Sequence, residues 1–285
     1  MVMEMFKKKE EFKDLKPPKA WGSKERIIVL SVLLITVLTA GVLFASSRSW
    51  KLPGLPRLEL PKFSGWNFWG EEKIIIGNKM SRSVEEFEEK TKNLSGVYAF
   101  YVYDLTRDFE YGVNQDEIMA AASLIKLPLM LYAQGRVADA KIEAMGKRSD
   151  NAVFKELVRE FGQDKIQKYI DNLGMKKTSL EKNETTAKEI GDLLAKIYQD
   201  KNEKILGFLT DTIFENWLRA GIPQEVRVAH KYGRETHIIN DGGIIFAKRP
   251  FILVMMTQGI VDKEGEENIP ALVNLIYSKH TQDLQ

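Results

Sequence analysis

The 285-residue sequence contains no cysteine. Disulfides, iron–sulfur clusters and thiol nucleophiles are therefore excluded, while the compartment stays open. Histidine is almost as scarce. The only three, His230, His237 and His280, have none of the spacing of a zinc site, so no metal and no cofactor is expected. Charge of one sign is not in excess either, with 42 Lys and Arg against 40 Asp and Glu. A net charge of +2 gives no electrostatic footprint for a nucleic-acid partner. Internal repeats and low-complexity tracts are also missing.

What is present begins with residues 27–45, IIVLSVLLITVLTAGVLFA, a run without charge. A membrane-spanning helix needs roughly 20 apolar residues, and this run supplies them. Lys7, Lys8, Lys9, Lys13, Lys16, Lys19, Lys24 and Arg26 precede it, against Arg48 and Lys51 after it. That bias predicts a cytoplasmic tail over 1–26, a single-pass anchor over 27–45 and an extracytoplasmic body. A cleaved signal peptide is the rival reading, because Ala45-Ser46-Ser47 offers small residues. The run is long for a signal core, and its basic tail is extended. Residues 46–82 read as a tether, punctuated by Pro53, Pro56 and Pro61 and by Gly54, Gly65 and Gly70. Trp66, Phe68 and Trp69 suit a membrane interface and suit packing on the folded domain equally.

Residues 83–285 are expected to fold, and a hydrophobic content of 44% suffices for one good-sized core. Ser83 and Glu86 have capping-box spacing, which predicts a helix over 84–92. Aromatic and β-branched residues predict strands over 96–105 and 109–113. Helices are expected over 123–134, 151–161, 164–173, 186–199 and 205–218, with Gly135, Gly162 and Gly174 as stops. Then the period changes: 225–232, 236–246 and 251–258 read as strands, with a turn at Gly233-Arg234, and 269–279 reads as a closing helix. The layout is α+β: one antiparallel five-stranded sheet flanked by helices, with a helical subdomain inserted between its second and third strands. A cleft between the two parts would hold the site.

Three short motifs carry chemistry. In Ser123-Leu124-Ile125-Lys126, residues i and i+3 share a helix face, so an amine of lowered pKa can take the serine proton. Taken alone, the pair reads as a helix cap and a solvated lysine. Ser149-Asp150-Asn151 could be another helix cap; functionally, Ser149 would relay a proton to a leaving nitrogen and Asn151 would bind a substrate amide and steady Lys126. Lys231-Tyr232-Gly233 offers a cation for a substrate carboxylate and a glycine that admits close backbone approach.

Their order, S-x-x-K, S-D-N, K-x-G, is the series of penicillin-recognising serine enzymes. With Tyr103-Asp104-Leu105, Met119-Ala120-Ala121-Ala122 and Asn240-Asp241-Gly242-Gly243, the stretch from Gly96 to about Gln282 resembles the class A β-lactamase family and its penicillin-binding relatives. The resemblance implies a membrane-anchored serine hydrolase acylated at Ser123 by β-lactams or D-alanyl peptides of peptidoglycan. It implies an oxyanion hole from the Ser123 and Arg234 amides. A penicillin-binding D,D-peptidase with slow deacylation is the alternative within the class; a catalytically retired cell-envelope binding protein is the alternative outside it. Three departures stand out. Tyr232 replaces a threonine or serine, the helical subdomain is shortened, and the omega loop is almost absent. Glu184 falls at the place of that loop's deacylating glutamate, yet it equally suits a first-turn helix carboxylate.

Overall fold

The computed structural model describes residues 29–40 and 82–282. Helix α1 (29–40) is exposed along its length, and its Thr36 and Thr39 hydroxyls donate back to the carbonyls of Val32 and Ile35. Among the described residues no helix is long and apolar enough to cross a membrane. The remainder of the predicted anchor, the basic tail and the tether up to residue 81 lie outside the described residues.

The folded body opens with α2 (82–91). Ser83, expected as its cap, is instead a buried residue inside the helix. Strands β1 (Val97–Asp104) and β2 (Phe109–Val113) form an antiparallel hairpin. The two-residue strand β3 (Met119–Ala120) pairs with β4 (Glu184–Thr185) in a small sheet that the sequence reading did not anticipate. Between them lie α3 (Lys126–Ala133), α4 (Asp139–Lys147), α5 (Asn151–Phe161) and α6 (Gln163–Asn172). Helices α7 (Ala187–Gln199) and α8 (Glu203–Phe208) follow, then β5 (Val228–Glu235), β6 (Ile238–Ile245), β7 (Phe251–Gln258) and α9 (Asp262–Gln282).

The main sheet has five strands in the order β2-β1-β7-β6-β5, and every pairing is antiparallel. Side-chain alternation splits its residues between two cores. Ala99, Tyr101, Ile252, Val254 and Met256 face the helical subdomain. Tyr98, Phe100, Val102, Phe251, Leu253 and Met255 face the layer built with Phe87, Leu272 and Ile276. A sheet buried on both faces reads as continuous apolar sequence rather than as alternation, and β7 is buried over seven of its eight residues. Helix α7 crosses β1, β6 and β7, with Gly191 set against the ring of Tyr101, where no Cβ would fit.

Local signals explain the boundaries that match. Thr186 caps α7 by accepting from the Glu189 amide at 3.1 Å. Glu189 does not return the bond; its carboxylate holds Lys177 N and Thr178 Oγ1 instead. Gly162, at φ 85, separates α5 from α6. Three expectations need correction. The helix expected over 205–218 is only α8, capped by Asn202, after which the chain runs through turns and a short 3-10 helix, Arg219–Gly221, to β5. Helix α9 starts at Asp262, seven residues earlier than expected, and carries Pro270 inside it, because buried Gly265 and Ile269 seat its first turns. Finally, the turn between β5 and β6 falls at Thr236-His237, so Gly233 and Arg234 lie within the strand.

Candidate active site

Ser123 sits in a short 3-10 turn, Ala122–Ile125, that leads directly into α3. This corrects the expected α-helical start, and it brings the pair together more directly, since residues three apart eclipse in 3-10 geometry. Ala122 enters the turn at φ 46, in the left-handed region. The segment before it is clamped to the sheet by buried Asn240, which donates to the carbonyls of Ala120 at 2.8 Å and Ala121 at 3.2 Å. The Asn240 oxygen in turn accepts from the Thr257 amide at 2.9 Å.

The amine of Lys126, 2% exposed, lies 2.8 Å from Ser123 Oγ. It also reaches Ser149 O at 2.6 Å, Ser149 Oγ at 3.1 Å and Asn151 Oδ1 at 2.5 Å. Two of these partners are carbonyls, which only accept. In the neutral amine they take both N–H bonds and leave the lone pair for a hydroxyl proton. Burial lowers the Lys126 amine from its ordinary 10.5 to about 8, against the opposing charges of Asp150 and Glu235. An amine so tuned is a usable base near neutral pH.

Ser149 stands at φ 54, which turns both its hydroxyl and its carbonyl onto Lys126. Asp150 caps α5, accepting from Ala152 N at 2.8 Å and Val153 N at 3.0 Å. That cap sets Asn151 as the first helical residue, facing the amine. The two motifs, distant in sequence, thus meet on one nitrogen.

Strand β5 forms the opposite wall. A Cβ built on Gly233 would stand 2.7 Å from the Ser123 amide nitrogen, so strand and nucleophile are in backbone contact. The His230 amide donates outward to Leu209 O at 2.7 Å. Because amides alternate sides along a strand, the amides of Tyr232 and Arg234 point the same way, off the sheet edge. The Arg234 side chain swings to α9, meeting Glu266 at 2.6 Å and Asp262 at 3.8 Å, and leaves its backbone at the site.

Lys231 is fully buried. Its amine donates to Tyr232 O at 2.7 Å and lies 4.2 Å from the Tyr232 ring centroid. Burial, reinforced by the charge of Lys126 and opposed by that of Asp241, lowers it to about 7. The Tyr232 ring packs on Phe214 and Trp217 at centroid distances of 5.3 and 6.4 Å, which accounts for an aromatic residue where the resemblance expects a small hydroxyl.

Glu184 is placed in β4, opposite Ala120, with backbone bonds to Ser179 in both directions. Its carboxylate is not among the partners of Lys126. Sequence reasoning missed several contributors. His230 is buried between Asp241 at 2.8 Å and Glu215 at 3.4 Å. Burial opposes its charge, but the two carboxylates prevail and raise it to about 9. Asn183 and Glu235 meet at 3.0 Å; the signal for Glu235 was its place two residues past Gly233. Among the described residues no group of three or more His, Asp or Glu side chains could hold a metal ion.

Comparison with known proteins places this geometry in context. A profile described as a beta-lactamase enzyme family matches residues 80–145 and 138–280. No curated protein matches the sequence. Among solved structures, a mutant of PBP-A in acyl-enzyme complex with penicillin G is 18% identical, with a TM-score of 0.65, over 73% of this chain and 97% of that one. An ancestral class A β-lactamase is 18% identical, with a TM-score of 0.64, over 69% of this chain and 99% of the other. A β-lactamase from Sphaerobacter thermophilus is 18% identical, with a TM-score of 0.63, over 72% and 98%. At this identity the likeness in structure is one of fold.

Proposed function

Because the chain belongs to the beta-lactamase enzyme family, we propose that it is a serine hydrolase acylated at Ser123 by β-lactams or by D-alanyl peptides of peptidoglycan. The observation that carries this reading is the 2.8 Å contact between Ser123 Oγ and a buried Lys126 amine that Ser149 and Asn151 also hold. Neutral Lys126 takes the hydroxyl proton as Ser123 Oγ bonds to the substrate carbonyl carbon. The amides of Ser123 and Arg234 receive the developing oxyanion, a contribution worth on the order of 100- to 1,000-fold per donor. Collapse breaks the C–N bond, and the proton returns to the leaving nitrogen through Ser149. Lys231 holds the substrate carboxylate from beneath Tyr232, and Asn151 steadies an acyl-side amide. The acyl-enzyme of a PBP-A mutant with penicillin G, on the same fold, supports this substrate class.

The apolar run 27–45 with its basic flank supports a single-pass anchor in a bacterial cell membrane, with the catalytic domain outside. A D,D-peptidase with slow deacylation is the second reading, favoured by the position of Glu184 outside the Lys126 network.

The test is labelling of the full-length protein with a fluorescent penicillin. A covalent adduct that disappears in Ser123→Ala is expected. Absence of any Ser123-dependent adduct or hydrolysis sinks the proposal and leaves a binding protein.

A further inference from the structure

Hydrolysis of an acyl-serine needs a group that takes a proton from the attacking water, and the omega loop that would carry one is almost absent, with its Glu184 in β4 and outside the Lys126 network. Strand β5 carries another carboxylate, that of Glu235. Residues Lys231, Gly233 and Glu235 share one face of β5 by the two-residue period of a strand. Gly233 on that face touches the Ser123 amide. Glu235 stands about 7 Å further along the same face, at the ordinary rise per residue. Its Oε1 accepts from Asn183 Nδ2 at 3.0 Å.

Asn183 is itself fixed to the nucleophile segment. Its carbonyl accepts from the Ala121 amide at 2.7 Å, two residues before Ser123, and its backbone is left-handed at φ 56. The second side-chain atom of Asn183, Oδ1, is buried and has no hydrogen-bond partner. A buried orphan acceptor costs free energy comparable to a lost hydrogen bond, and a water or substrate N–H would satisfy it. Glu235 also lies near enough for its charge to act on the Lys126 amine. Glu184, although adjacent to Asn183 in sequence, contributes no such effect.

We propose that Glu235, held by Asn183, is the general base of deacylation at Ser123, in the role that the shortened loop leaves open. The inference rests on the acyl-enzyme reading above. Glu235 takes one proton from water as the water oxygen bonds to the acyl carbon. As the C–Oγ bond breaks, neutral Lys126 takes the remaining hydroxyl proton of the intermediate and passes it to Oγ, which regenerates Ser123 and the neutral amine. The product leaves as a carboxylate, and the Glu235 proton passes to solvent. Asn183 is a positioning residue: it orients the carboxylate and offers Oδ1 to the water.

The experiment follows decay of the fluorescent penicilloyl adduct on full-length protein after excess label is removed. Glu235→Gln is expected to form the adduct at a rate within about 3-fold of wild type and to lose it roughly 100-fold more slowly, the lower range for a general base. Glu235 is exposed, so the variant should fold, and Glu235→Asp should recover part of the decay. Asn183→Ala should slow decay while leaving adduct formation intact, a split that mere loss of stability does not produce. An adduct that decays equally fast in Glu235→Gln overturns the assignment. So does a wild-type adduct that never decays, or an arrest found in Glu184→Gln and not in Glu235→Gln. A protein that forms no Ser123 adduct refutes the acylation reading instead.

Discussion

Ser123 and Gly233 meet backbone to backbone: a Cβ on Gly233 would stand 2.7 Å from the Ser123 amide nitrogen and 3.1 Å from the Ala122 Cβ. Neither neighbour is a flexible side-chain end, so any substituent must displace β5 or the 3-10 turn. Of the two amides proposed for the oxyanion, that of Ser123 is at this contact and that of Arg234 follows Gly233 directly in β5.

Gly233→Ala is therefore expected to slow acylation by roughly 100- to 1,000-fold, the loss typical of one oxyanion donor. The rate of labelling by fluorescent penicillin measures it. An alanine variant that labels at the wild-type rate would show that the contact does not position the donors.

The state of Lys126 sets a pH profile. With its amine lowered to about 8, the neutral base grows as pH rises, so acylation at saturating label should climb and level off above about 8, while binding of the label's carboxylate weakens as Lys231 loses its charge through about 7. Lys126→Met should remove roughly 100- to 10,000-fold of the rate. The sign for stability is the same. The folded amine gives up its proton near pH 8 while the unfolded one keeps it to 10.5, so this group favours the folded state increasingly across that window.

His230 behaves oppositely. Its pKa is raised to about 9, so the stabilisation it provides is complete below its ordinary 6.5 and is lost as pH rises through about 9. His230→Gln leaves Asp241 buried without its cationic partner, a change of about 3–5 kcal/mol for a broken buried pair. Denaturant titrations at about pH 6 and about pH 9.5 should find the gap between variant and wild type narrower at the higher pH. An equal gap at both would refute a charged His230.

Gly191→Ala tests the seat of α7. Alanine favours a helix by about 0.8–1.0 kcal/mol over glycine, yet here its Cβ meets the buried Tyr101 ring. That ring is held by bonds from its hydroxyl to Glu110 at 2.6 Å and Asp192 at 3.1 Å. Overpacking should prevail, with a net loss of about 1–3 kcal/mol in urea unfolding.

Much of this architecture was legible in the chain. β2, α5 and β7 have the expected bounds, because the Thr106-Arg107-Asp108 turn, the Asp150 cap with Gly162 as stop, and an unbroken apolar run mark them locally. Helix α4 escaped notice because Ala138 offers no capping side chain and because Gly146 lies in its last turn. The end of β5 was misplaced for a different reason. Gly233 reads as a turn residue, but it is required by the approach of Ser123, a contact across 110 positions of sequence. The site divides in the same way. Ser123, Lys126, Ser149 and Asn151 announce themselves as motifs, whereas Asn183, Glu235 and the His230 cluster are joined only by the fold.

The position of β5 at the end of the sheet order has one more consequence. A strand whose outer edge stays open to a substrate is equally open to the strand of another copy, the ordinary route to edge-to-edge aggregation. Here the vulnerable length is short. The Leu209 carbonyl already occupies the amide of His230, and the rest of the edge carries two exposed charges, Arg234 and Glu235. Zipping a second β5 onto it would require both charges to be desolvated. The residues that finish the catalytic wall thus also raise the cost of such pairing.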